Sequence, residues 1–501
     1  MLSSGDINLY SLFVERASHI VKPAGVVGLL TPSGIAADKG AARFFRSIAT
    51  TGRLAALFDF ENKKVFFPNI HASFKFCALI FAGMQRRFAT ARCAFYLHAV
   101  TELKPPQLAD DTDASARLRA TRVIELSADD FRAVNPNTGT APIFRNALDA
   151  QLTTRIYRSN PVLVRHVFAK EHDELTGATV DNVDAIEREE RLFPVRYLRM
   201  FDMTNDSGLF NTRAELQAGG WYPVAGGRWK KGDMEMLPLY EGKMVQMYDH
   251  RAAGVTVNRD NVHRPAQPFD TTKEQHRDPD FVPPPQFFVD AAVVGEQMTT
   301  EWILGFKHVS APTNVRTMIA AICPRAGAGN SLPLFAHDAN DAAAVPQLLA
   351  NLNSLCMDYV LRQKLQGQNL NLFVVEQLPL IAPPTYALAL GNTTIGDFVH
   401  GEVLRLSYTA HDLDAFARDL GYDGEPFAWD EEERRHRMAR LDALYFGLYG
   451  VSREEAAYVL DTFPIVREHD ETQFNRYRTK ELVLGYMNAL AAGDTTTVLA
   501  L

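Results

Sequence analysis

The chain has 501 residues, 47% of them hydrophobic and 22% charged, which is ordinary globular composition with material for about three domains. A formal net charge of −8 excludes a protein that attracts nucleic acid through a global positive field, though a local basic groove could still hold phosphates. Four scattered cysteines, Cys77, Cys93, Cys323 and Cys356, form no CxxC pair. A zinc knuckle or redox dithiol is therefore not expected, and reduced thiols in a cytoplasm are. No basic stretch followed by an apolar run marks a signal peptide, and apolar runs such as Phe76 to Ala82 are too short to span a bilayer.

Tyr10, Phe13, Val14, Ala17 and Val21 recur at helical spacing and stop at Lys22-Pro23-Ala24-Gly25. Gly25 to Thr31 is a continuous apolar run, typical of a strand buried on both faces. A second amphipathic helix is expected over Ala41 to Ala49, then strands over Leu54 to Phe60 and Ser73 to Phe81. Helix, strand, helix, strand, strand reads as the tail of a doubly wound α/β sheet. Three strands alone would leave a long apolar edge unpaired, so the segment looks incomplete on its N-terminal side.

From about 95 to 390, short apolar runs alternate with Pro-, Gly- and Asn-rich turns, a loop-rich α+β pattern without a repeat. Pro383-Pro384 marks a linker, and beyond Ile395 the pattern is helical. The charged block Asp430 to Arg440 mixes signs and reads as a solvated helix face.

Asn8-Leu9-Tyr10, Phe13-Val14-Glu15-Arg16-Ala17, Lys22-Pro23-Ala24-Gly25, Leu30-Thr31-Pro32-Ser33 and Phe67-Pro68 followed by Ser73 form one ordered series. The series resembles the region after the catalytic tetrapeptide of gamma-class adenine-N6 DNA methyltransferases. The resemblance implies that Phe67 stacks on the flipped target adenine and that Phe13 borders the cofactor, S-adenosylmethionine. An extruded base loses its stacking neighbours, and an aromatic face restores part of that energy. On pattern alone either residue could instead be core.

The rest is similar to one branch of that family, the fused type IIG restriction–modification enzymes and related phage-defence methylases. The likeness is carried by Asn135-Pro136-Asn137-Thr138-Gly139-Thr140, Leu237-Pro238-Leu239-Tyr240-Glu241-Gly242-Lys243-Met244 and Tyr248-Asp249-His250-Arg251. It continues through Thr313-Asn314-Val315-Arg316-Thr317, Gln377-Leu378-Pro379 and Asp461-Thr462-Phe463-Pro464. It implies three parts: the C-terminal part of a methyltransferase catalytic domain at 1–94, a target-recognition domain at 95–390 and a helical region at 391–501. In the recognition part, Lys243, Arg251, Arg316, Lys364 and Asn369 are candidates to meet double-stranded DNA. Gln366 and Gln368 stand in the same turn as Lys364. Tyr248 to Arg251 could equally form an internal network that holds the recognition domain on the catalytic one.

The family's tetrapeptide (Asn, Asp or Ser, then Pro-Pro, then an aromatic) is not found: Lys104-Pro105-Pro106-Gln107, Pro283-Pro284-Pro285-Gln286 and Ala382-Pro383-Pro384-Thr385 all fail. Nor is the Gly-rich cofactor loop, since Arg325-Ala326-Gly327-Ala328-Gly329-Asn330 lacks the third glycine and the strand–helix context. The chain is thus expected to be a methyltransferase present only in part, either completed by a separate N-terminal half or a truncated fragment, or else a non-catalytic specificity subunit. Glu61-Asn62-Lys63 has the Glu-x-Lys spacing of a metal-dependent nuclease but is short enough to arise by chance. His71, His250 and His263 have no ligand spacing, so no metal site is expected.

Overall fold

The computed structural model describes residues 8–106, 114–172, 179–257, 266–365 and 367–500. It is a mixed α/β protein that divides into two compact units: Met1–Glu190 with Phe373–Pro379, and Arg191–Leu372 with Leu380–Leu501. The two units divide between Glu190 and Arg191. Residue 94 lies inside a strand of the first unit's sheet, whose hydrogen bonds continue to Ser127.

In the first unit, helix α1 (Leu9–Ile20) leads to strand β1 (Val26–Pro32), followed by α2 (Gly34–Ala37) and α3 (Ala42–Ala49). The chain leaves α1 before Pro23, as a residue preceding proline disfavours helical backbone. Strands β2 (Leu54–Glu61), β3 (Lys75–Ala82) and β4 (Thr90–Leu97) follow. Beyond them come α4 (Ala114–Ala120), β5 (Ile124–Ser127), α5 (Ala128–Val134) and α6 (Ala147–Ser159). The strand order is β1-β3-β2-β4-β5; β1, β2 and β4 run one way, β3 and β5 the other.

Strand β3 sits between β1 and β2, with Leu79 opposite Leu29 on one side and Leu57 on the other. Its Cys77, Leu79 and Phe81 are fully buried. Helix α3 covers this core with Phe44, Phe45 and Ile48; Phe44 meets Phe81 edge-on with centroids 5.7 Å apart. Each such side chain contributes roughly 1.5–3 kcal/mol by leaving water. A two-stranded sheet of β6 (Val164–His172) and β7 (Thr179–Arg191) completes the unit.

β1 has the composition of a strand buried on both faces, yet it is the edge strand, and Leu30 is 69% exposed. Leu9, Phe13 and Ile20 on α1 and Val26 on β1 are exposed too.

The second unit holds an antiparallel sheet in the order Ala320–Pro324, Trp302–Phe306, Leu334–His337, Val195–Leu198. Another sheet runs Phe288–Asp290, Met234–Tyr240, Trp229–Lys231, Tyr222–Pro223. Helices Ile395–Ser407, Glu431–Leu448, Arg453–Asp461, Pro464–Phe474 and Arg478–Ala491 follow toward the C-terminus. The charged block is not simply a solvated face: Arg434, His436 and Arg440 are buried. They are held by specific partners. Arg434 lies 3.8 Å from the Trp429 ring centroid, His436 Nδ1 is 2.6 Å from the Tyr486 hydroxyl, and Arg440 donates to Glu402 (3.1 Å). No helix among the described residues is long and apolar enough to cross a membrane, and all four cysteines are buried free thiols.

Candidate functional site

The loop 62–74, from the end of β2 to the start of β3, is built around one side chain. Asn62 has no exposed surface. Its Oδ1 accepts the Phe67 N–H (2.8 Å), while Nδ2 donates to the carbonyls of Phe67 (2.9 Å), Ile70 (3.0 Å) and His71 (3.4 Å). A buried amide satisfied this way fixes the loop, because a half-paired one would cost about 1–3 kcal/mol. Lys63 and Lys64 take left-handed backbone (φ 43° and 62°), which turns the chain back over the strand end.

The fixed loop holds an aromatic outward. Phe67 stands edge-on to Phe76 at 5.1 Å, while Phe60, Phe66 and Phe76 pack beneath, yet Phe67 stays 41% exposed. Val65, Ile70 and Phe74 beside it are exposed as well. An apolar loop held rigid and in water gains free energy by covering a flat apolar surface.

Below the loop lie the polar groups at the strand ends. The Ser33 hydroxyl donates to the buried Asp59, whose carboxyl is pushed up by burial, an effect that the Ser33 hydrogen bond and Lys75 partly offset. Glu61 reaches His98 (2.9 Å), Lys63 (3.1 Å) and Lys75 (3.8 Å). Burial raises its pKa, but the His98 and Lys63 hydrogen bonds and the lysine charges outweigh that and bring it below the usual carboxylate range. Lys75 and Arg145 lie over the ring of Tyr96, at 4.5 and 5.0 Å. The Glu-x-Lys pair is thus part of a charge cluster that neutralises Glu61 with side chains. Phe13, on α1, is 71% exposed, in keeping with a surface role rather than core.

The candidates in the second unit divide. Arg251 has no exposed surface; its Nη atoms donate to the carbonyls of Asp278 (2.8 Å), Phe281 (3.1 Å), His276 (2.9 Å) and Thr409 (2.9 Å). Around it, His276 bonds Asp249 (3.1 Å) and His250 bonds Asp412 (2.9 Å). Tyr248 to Arg251 therefore form the internal network, and its partners all lie within one unit rather than joining two domains. Arg316 is buried too, 3.7 Å from Asp442 and 3.8 Å from Asp358, with Nη2 donating to the Asn353 carbonyl. These two arginines face inward because their carbonyl and carboxylate partners come from segments distant in sequence, which a local pattern does not reveal.

Lys243 pairs with Glu241 (3.0 Å) and remains partly accessible. Lys364 is half-buried, and desolvation lowers its pKa well below that of a surface lysine. Asn369 is exposed with Gly367 and Gln368, in a turn anchored where Ser310 N–H meets the Gln368 carbonyl (2.9 Å) and Leu370 N–H meets that of His308 (2.7 Å). Gln366 and His263 lie outside the described residues.

Residues 2–66 match the family model described as Eco57I restriction-modification methylase, so that segment is similar to restriction–modification methylases. The match ends one residue before Phe67. No curated protein matches the chain. A solved structure, the type IIG restriction endonuclease BpuSI, aligns over 89% of this chain and 50% of its own, at 8% identity and a TM-score of 0.26. The chain thus spans about half of that enzyme's length.

Proposed function

We propose that this chain is the base-holding and sequence-reading part of a site-specific adenine-N6 DNA methyltransferase in a restriction–modification or phage-defence system. The carrying observation is the loop pinned by Asn62, which presents an exposed Phe67 directly after the segment that matches the family. In the reaction a methyl group passes from S-adenosylmethionine to the adenine amine, once the base has been turned out of the duplex and oriented. Phe67 receives the extruded base. Phe13, with Leu9 beside it on α1, fits the adenine end of the cofactor alone. Lys243 and Asn369 are the recognition candidates that remain accessible; Lys364 contributes from a half-buried position.

A second reading, a specificity subunit that works with a separate catalytic chain, is favoured by the β1 edge. A strand with the composition of a doubly buried one, left exposed beside an apolar helix face, suits a further strand and helix from a methyltransferase half.

The test is selection from a pool of random DNA duplexes, followed by 2-aminopurine placed at each adenine of the recovered site. One position should brighten on binding, and Phe67→Ala should cut that signal by about tenfold while leaving most of the affinity, since stacking on an aromatic is worth roughly 1–3 kcal/mol per base. Failure to enrich any sequence, or equal brightening with Phe67→Ala, sinks the reading.

A further inference from the structure

Three side chains outside the proposed site converge in the first unit: His166 on β6, Glu189 on β7 and Glu376 on the 373–379 segment. One ligand atom from each lies within 4.8 Å of the other two. His166 Nε2 is 3.7 Å from a Glu376 oxygen and 3.9 Å from a Glu189 oxygen. Those separations are too long for hydrogen bonds. They suit donors that share one ion, because ligands about 2.0–2.2 Å from a common centre stand roughly 3–4 Å apart.

The backbone beneath the cluster is held on several sides. The His166 N–H donates to Asn137 Oδ1 (2.9 Å), and Asn137 Nδ2 donates to the Val164 carbonyl (2.9 Å). The Glu376 carbonyl accepts the Val164 N–H (2.8 Å), and the Leu378 carbonyl accepts that of Leu163 (3.0 Å). Gln377, between them, accepts from the Asn137 N–H (2.9 Å) and gives its carbonyl to the Tyr157 hydroxyl (2.9 Å). Two of the three donors thus start from fixed backbone, which lowers the ordering cost of binding an ion. Glu189 is the more exposed donor and lies on the solvent side, where entry and water ligands are available.

We propose that His166, Glu189 and Glu376 bind one divalent transition-metal ion, which ties the 373–379 segment to the β6–β7 sheet. One imidazole nitrogen with two carboxylate oxygens suits zinc or manganese better than calcium, which takes oxygen ligands throughout. Such a clip stabilises the folded unit by mass action, since the unfolded chain does not bring the three ligands together.

The experiment uses the full chain, stripped with a chelator and dialysed, then titrated with Zn2+ by calorimetry and followed by thermal melting. One site per chain is expected. His166→Ala and Glu376→Gln should each weaken it by more than about tenfold, since even outer partners of metal ligands cost 10–100-fold. Zn2+ should raise the melting temperature of the stripped protein and leave that of Glu376→Gln unchanged. Glu376→Gln keeps the backbone bonds and side-chain size, and a circular dichroism spectrum like that of the parent establishes its fold. The proposal is overturned if the parent binds Zn2+ no better than both variants, or if Ca2+ binds as tightly as Zn2+.

Discussion

The loop 62–74 and the 248–251 segment carry similar advertisements in sequence: aromatic and polar or cationic residues beside turn-formers. Their fates are opposite. In the first, a buried Asn62 takes up the backbone's hydrogen bonds and leaves Phe67 outside. In the second, Arg251 is drawn wholly inside by four carbonyls and serves as the network's hub. Where the backbone is satisfied by a local side chain, the notable residue is free for a ligand; where it is not, that residue becomes the scaffold.

The largest expected effect tests the scaffold side. Arg251→Ala strands those carbonyls and leaves Asp249 and Asp412 without the charge that faces them, so it should destabilise the second unit by about 3–5 kcal/mol. Urea unfolding measures this. A variant of full stability that has lost DNA affinity would instead make Arg251 a ligand contact and break the comparison.

The next effect is a pH dependence in the same unit. Burial pushes the Asp442 carboxyl up to about 6 from an ordinary 3.8, although Arg316 pulls the other way. A folded pKa above the unfolded one means that the folded state holds the proton more tightly. Its contribution is complete below about pH 4 and is lost as the pH rises through 6, by roughly 2–3 kcal/mol at most. Asp442→Asn keeps an acceptor for the Leu355 N–H (2.6 Å in the parent). It should remove that slope from unfolding free energies measured between pH 4 and 7. A slope that survives the substitution belongs to another group.

On the loop side the effects are smaller and local. Asn62→Ala should cost about 1–3 kcal/mol and speed amide exchange across 63–74, while the exchange of β3 stays slow. Phe67→Ala should cost about 1 kcal/mol, the worth of its edge contact with Phe76. If exchange in the loop is unchanged by Asn62→Ala, its shape is set by the Phe60–Phe66–Phe76 cluster instead.

This contrast also explains how much of the fold is legible in the sequence. Helix α1, strands β1, β2 and β3 and helix α3 stand within a residue or two of the segments expected from periodicity, because apolar spacing is a local property of each segment; α3, β2 and β3 bury the faces it marks, whereas α1 and β1 leave much of theirs exposed. Phe67 stands out in the sequence only through the resemblance that Phe67-Pro68 and Ser73 help to carry, since pattern alone leaves it as either surface or core. Asn62, its anchor, was overlooked, since an asparagine after a strand reads as an ordinary turn residue. The inward turn of Arg251 and Arg316 and the meeting of His166, Glu189 and Glu376 depend on pairings across dozens to hundreds of residues. No window of sequence contains them. The edge position of β1 has the same origin, for composition records how deep a strand is meant to lie and not which strand lies beside it.

That edge gives the smallest effect on this chain and the sharpest test of its role. Leu30 and Phe13 already face water, so Leu30→Lys and Phe13→Ser should each change the unfolding free energy by about 0.5 kcal/mol or less. A lysine on an open edge discourages strand addition, and a serine removes apolar surface from α1. In the chain by itself nothing else should move. With a methyltransferase half added, the parent should form a complex by light scattering, and Leu30→Lys should abolish it without altering the melt. Should Leu30→Lys instead unfold the first unit, β1 would already be covered in the folded chain, and the edge would not be the place where the sheet is completed.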